Sequence, residues 1–219
     1  MIDLQAEWVR LCGALNIEAT AGAQVWTQLA AAYGEPHRHY HTLDHINAVV
    51  ANGRRLHDRF TQPDLVLLAL FFHDIVYDPA RRDNETLSAD VLERWLGDHV
   101  AADALAWCRR AIEATASHAA RGEADIDLLL DIDMAILGAP RDAYLLYAEN
   151  VAREYLPVYG LETYAAGRAK LFLEPTLAHG RLFLTEPFAA REDQARANLT
   201  EELAQWTSGV IAGRLKPGL

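Results

Sequence analysis

A chain of 219 residues with 51% hydrophobic content has the material for one domain with a buried core. Its net charge of −11 argues against nucleic acid and anionic membrane as general partners, because both require a basic face. Two cysteines, Cys12 and Cys108, without CxxC spacing, argue against a disulfide framework or a thiolate zinc site and fit a reducing cytoplasm. The opening residues lack the basic start and apolar stretch of a secretory signal. The longest apolar run, Leu65 to Phe72, is too short to span a bilayer and reads as a buried core helix. Of 20 basic residues only Lys170 and Lys216 are lysines, a bias that a GC-rich genome explains as well as phosphate binding does.

In chain order, helical periodicity with Gly and Pro at the joints predicts helices over 3–15, 20–33, 42–60, 63–76 and 84–97. Further helices are predicted over 101–119, 125–136, 141–156, 160–174 and 188–207. Between the second and third, four histidines fall within nine residues: His37, His39, His41 and His45. A helix that begins near His41 would put His41 and His45 on one face. The fourth helix ends on His73-Asp74, where an imidazole and a carboxylate can converge on one ion. Asp83 or Asn84 can cap the helix that opens at Glu85. Helix 101–119 turns Leu105, Cys108, Ile112 and Thr115 to one side and Arg109, Arg110 and Glu113 away from it. In the seventh helix Asp131 and Asp133 interrupt an apolar run, and a buried acid needs a metal or an Arg as partner. Imidazoles and carboxylates together form a mixed N/O donor set that suits Mn, Fe, Ni, Co, Zn or Mg. The predicted fold class is all-α: a compact bundle forming a single domain over 1–219, its site core at about 40–140 and helical extensions at both ends.

These stretches resemble the HD superfamily of metal-dependent phosphohydrolases, whose pattern is H…HD…D on an all-α core. Here the pattern falls on His45, His73-Asp74 and Asp133. The flanks Tyr40-His41…His45-Ile46, Phe72-His73-Asp74-Ile75-Val76-Tyr77-Asp78, Asn84-Glu85 and Asp131-Ile132-Asp133-Met134-Ala135-Ile136-Leu137-Gly138 resemble a bacterial branch known as predicted HD-type hydrolases. The segment Ala195-Arg196-Ala197-Asn198-Leu199 is similar to the C-terminal helix of that branch. The resemblance implies a divalent metal, one ion or two, and hydrolysis of a small phosphorylated substrate, a nucleotide or cyclic nucleotide among the candidates. Tyr40-His41-Thr42-Leu43-Asp44-His45 is also similar to the YHNxxH stretch of cyclic-nucleotide phosphodiesterases, which implies that His41 protonates the leaving oxygen. His73 to Asp78 resembles the HDxxED of alarmone hydrolases, with Asp78 as the final acid and Tyr77 where that motif has glutamate.

The residues themselves leave several roles open. Asp131 lies two residues before Asp133, so on a helix it points about 200° away; it is the alternative ligand or a supporting residue. His41 either starts a helix or acts as the acid. His118 closes a helix or ligates a second metal, and Glu85 stabilises a helix N-terminus or reaches water on the metal. Arg38 and Arg168 are candidates for substrate phosphate. The competing functions are an HD-fold diiron oxygenase, for which His118 is the evident extra imidazole, and a non-catalytic metal-containing binding or regulatory domain. Oligomeric state is open, with a homodimer among the options for an acidic all-α chain.

Overall fold

Burial decides the centre of the fold: Val66 to Phe72 are each at most 1% exposed, so this helix is apolar on every side and must be enclosed by others. The computed structural model describes residues 1–207; residues 208–219 of the expected single-domain span lie outside the described residues. The chain divides into two compact units, Met1–Asp133 and Met134–Leu219. The fold is all-α, with no strand among the described residues. None of their helices is long and apolar enough to cross a membrane.

The first unit contains α1 (Leu4–Ala14), α2 (Ala19–Ala32), α3 (Leu43–Arg55), α4 (Pro63–Phe72), α5 (Asn84–Leu96), α6 (Ala102–Ala114) and α7 (Ala124–Asp133). Around α4 pack α1, α3, α5, α6 and α7. Trp8 of α1 meets Phe71 edge-on at 5.2 Å between ring centroids, and Trp95 of α5 meets Phe72 at 5.9 Å. Burying each such side chain contributes about 1.5–3 kcal/mol. The α3–α4 contact is close at Gly53, where a Cβ would stand 2.9 Å from Leu67 Cδ2 and 3.0 Å from Leu70 Cδ1. A larger residue there would push the helix of His45 away from the helix that ends on His73. Asp125 at the start of α7 accepts from the N–H groups of Thr61 and Gln62 at 2.8 to 3.0 Å, satisfying donors that precede Pro63. As expected, α6 buries Leu105, Cys108 and Ile112. Both cysteines are free and buried, and burial pushes their thiols up, Cys12 to about 11 and Cys108 to about 12.

Predicted boundaries move at α3 and α4, and one expected cap is not formed. The third helix begins at Leu43, because Thr42 is the N-cap and its side chain accepts from Asp44 N–H at 3.3 Å. His41 therefore precedes the helix and does not share a helical face with His45. The fourth helix stops at Phe72, since the carbonyls of Asp74 and Ile75 are bound by Arg38 and the N–H of Val76 donates to Ser88. The expected cap of α5 is not made: Asp83 pairs with Arg81, and the Asn84 amide brackets the backbone N–H and carbonyl of Asp78.

The second unit holds a tight turn at Met134–Gly138, then α8 (Arg141–Gly167), a π-helical stretch Arg168–Leu173, α9 (Glu174–Ala178), α10 (Glu186–Ala189) and α11 (Glu192–Thr207). The predicted gap after residue 156 is displaced. The helix runs through Pro157 and breaks at Gly160, whose φ of 70° and ψ of 166° suit only glycine. Asn198 of α11 donates to the carbonyls of Leu137 and Ala139, closing the tight turn with a buried amide.

Arg168 is not a surface phosphate clamp. Its guanidinium lies buried against Glu202 of α11 at 2.8 Å and over the Phe172 ring at 4.2 Å, while Tyr144 and Trp206 also donate to the Glu202 carboxylate. Burial pushes the Glu202 carboxyl up, but Arg168 and these donors outweigh it and hold it below its usual range. A carboxyl depressed in the folded state stabilises fully above its unfolded pKa, about 4.3, and that stability is lost as pH falls through the folded value. Glu202→Gln should therefore cost about 3–5 kcal/mol near pH 7, since Arg168 is left uncompensated. The gap to wild type should narrow when urea unfolding is repeated below about pH 4. A gap independent of pH would show that the pair contributes only packing.

Candidate metal centre

His73 is the C-cap of α4, and its Nδ1 donates to the Leu70 carbonyl at 3.0 Å, a helix-end acceptor without an intrahelical partner. That bond fixes the tautomer, so the neutral ring turns a bare Nε2 lone pair the other way. Nε2 of His73 meets Nε2 of His45 at 3.1 Å, Oδ2 of Asp74 at 2.9 Å and Oδ1 of Asp133 at 3.3 Å. From the first turn of α3, His45 Nε2 meets the same oxygens, Asp74 at 3.5 Å and Asp133 at 3.3 Å. His45, His73 and Asp74 thus form a group that could hold a metal ion, their ligand atoms all within 4.8 Å of one another. The carboxylate that adds to them is Asp133; Asp131, two residues earlier on α7, is buried at 1% exposure.

The donor set fits a divalent cation. Two imidazoles and two carboxylates converge in a space closed to solvent at the histidines, which are 5% and 1% exposed. With the His73 Nδ1 proton committed to Leu70, the group holds more acceptors than protons, and positive charge must come from ring protonation or from an ion. The pKa directions express the same demand. Burial pushes the imidazolium of His73 down, yet Asp74 and Asp133 hold it well above its usual range. Burial pushes the carboxyls of Asp74 and Asp133 up, and His73 with neighbouring imidazoles holds both well below theirs. A nitrogen–oxygen set of this kind suits first-row divalent ions or Mg without choosing among them.

Around this group the structure sorts the remaining candidates. His118 lies just beyond α6, and its Nε2 donates to Oδ2 of Asp133 at 2.8 Å. His41 stacks on the buried Tyr77 ring at 4.1 Å, meets Tyr40 edge-on at 5.0 Å and lies 5.8 Å from the His45 ring. It is half-buried at the rim of the group. Glu85, also half-buried in the first turn of α5, finds no hydrogen-bond or ion-pair partner among the described residues. Asp78 shapes a turn: its carboxylate accepts from Ala80 N–H at 2.9 Å, and its backbone is bracketed by Asn84.

Arg38 is placed differently from a phosphate ligand. Its side chain is 0% exposed, and the guanidinium donates to the carbonyls of His41, Asp74 and Ile75 at 3.2, 2.6 and 2.9 Å and to Glu35 at 3.0 Å. It also lies over the rings of Tyr33 and Tyr77, at 5.1 and 5.5 Å. Arg38 therefore ties the loop bearing His41 to the loop bearing Asp74. Neither this role nor that of Tyr77 was evident in the sequence: its ring stacks on His41, and its carbonyl accepts from His37 Nε2 at 2.9 Å. A groove of about 320 Å³ along α5, lined by Val76, Leu87, Asp90, Val91 and Arg94, contains none of the metal-set residues.

Compared with family models, with curated proteins and with solved structures, the chain matches none.

Proposed function

We propose that this chain is a metal-dependent phosphohydrolase of the HD type that acts on a small phosphate ester, a nucleotide or cyclic nucleotide among the candidates. One observation carries the reading: His45 on α3, His73 and Asp74 at the C-terminal end of α4, and Asp133 on α7 bring four donor atoms together with neighbouring contacts of 2.9 to 3.5 Å. Their order in the chain is that of the H…HD…D pattern. These four residues would hold the ion. A divalent cation in such a site polarises a phosphoryl oxygen and makes water nucleophilic near neutral pH.

The protein's own groups supply the rest. Asp74 and Asp133 provide the negative charge that would balance a divalent cation. His41, stacked on the Tyr77 ring, would give a proton to the leaving oxygen at the rim of the group. Arg38 holds the backbone on both sides of this arrangement, so the acid and the ligands keep one geometry.

The test is a phosphate-release screen with Mn, Ni, Co and Mg over phosphomonoesters, phosphodiesters and nucleotides. Turnover of at least one class is expected, abolished by chelation and restored by one of the ions. Metal-loaded protein that releases phosphate from none of them would turn the reading towards a binding or regulatory role.

A further inference from the structure

The turn that follows α6 carries a histidine where glycine is the ordinary residue. His118 has φ of 50°, in the left-handed region, and its N–H donates to the Ala114 carbonyl at 3.1 Å, closing the helix end. At such a closing position glycine is the ordinary residue and asparagine the usual substitute, because a β-carbon is strained there. Histidine is tolerated there, as asparagine and aspartate are, but it has no advantage over glycine in the turn itself. What it does gain is reach: its Nε2 stands 2.8 Å from Oδ2 of Asp133, and since a carboxylate oxygen only accepts, the ring donates. The other oxygen, Oδ1, faces the Nε2 atoms of His45 and His73 at 3.3 Å each.

We infer that His118 is a positioning residue that holds Asp133 by one oxygen so that only the other faces the metal. The inference rests on the metal reading above and extends it to how Asp133 ligates. A carboxylate free at both oxygens can swing to embrace an ion with both; one pinned through Oδ2 presents Oδ1 alone. Pinning also lowers the ordering cost of binding, because the ligand is already aimed. Losses of this kind of support are typically about 10- to 100-fold in metal affinity.

Three variants of the full chain separate the side chain from the backbone. His118→Gly removes the donor but suits the turn better than histidine does, so a loss cannot be assigned to strain. His118→Asn also tolerates the left-handed backbone, yet its amide is too short to reach Asp133. His118→Gln keeps the strained β-carbon and restores an N–H donor at about the distance of Nε2. Chelator-stripped protein titrated with Co(II) against a chromophoric chelator gives the affinity, and the visible Co(II) absorption reports coordination number. The expected result is a fall of about 10- to 100-fold for His118→Gly and His118→Asn, weaker visible absorption as Asp133 becomes bidentate, and near wild-type behaviour for His118→Gln. Equal affinity in all four proteins would overturn the inference and leave His118 as a turn residue. Loss of a second equivalent of Co(II) in His118→Gly would also overturn it, making His118 a ligand. Wild-type protein that takes up no Co(II) would defeat the metal reading itself, a result distinct from either.

Discussion

Chelator-stripped protein reloaded with Mn or Co should bind close to one equivalent, and His73→Ala or Asp74→Ala should lose most of it. Each substitution deletes a ligand and leaves the facing groups, buried and charged, without their counterpart; each unsatisfied group costs about 1–3 kcal/mol. The stability readout follows by mass action. Metal at about 100 times its Kd should stabilise the wild type by about 2.7 kcal/mol, and the variants should show almost none of this. Asp133→Ala should behave as they do, because its Oδ1 meets both imidazoles at 3.3 Å. Asp131→Ala should change occupancy little. The reverse order would move the ligand to Asp131, and full occupancy in the His73 and Asp74 variants would remove the site.

The His/Asp cluster was legible because it breaks local rules. A His-Asp pair ending a wholly apolar helix, and acids inside Leu128 to Leu137, are costly unless something compensates them, and the structure brings His45, His73, Asp74 and Asp133 together. The all-α class followed from periodicity, and α4 was recognisable as the core because it has no polar face. Boundaries were less legible where a long-range contact ends a helix. Arg38 binds the carbonyls of Asp74 and Ile75, 36 and 37 residues further on, and nothing local to either segment announces that bond. In a polar run rich in histidine, Arg38 reads as a solvated residue, yet it is enclosed. Arg168 misleads similarly, since Glu202 lies 34 residues away.

Other features had a local signal that a closer reading would use. Thr42 followed by Asp44 is a helix-start pattern, which puts His41 outside α3 and frees it to stack on Tyr77. His118 carried no such signal: its left-handed backbone and its bond to Asp133 exist only once α6 and α7 are packed.

The second large effect is expected at His41. If its imidazole protonates the leaving oxygen, His41→Ala should retain the metal and the fold and lose about 10²–10⁴-fold in turnover, the usual share of general acid–base catalysis. The ring is near the metal group without belonging to it, its centroid 5.8 Å from that of His45, so ligation and proton transfer are separable by substitution. The loss should be greatest for alkoxide or ribose leaving groups, which need a proton as the bond breaks. It should shrink for nitrophenolate, which departs as a stable anion. Tyr77→Leu keeps an apolar packing volume but removes the stacked ring, so it should reproduce part of the loss with the same dependence on leaving group. A small loss in His41→Ala, equal for both kinds of substrate, would return His41 to the role of a residue that precedes α3. A fall in metal occupancy together with rate would make it a ligand. Metal content and rates on two substrates, measured on these two variants, distinguish proton donor, ligand and loop residue because only the donor makes the effect depend on the group that leaves.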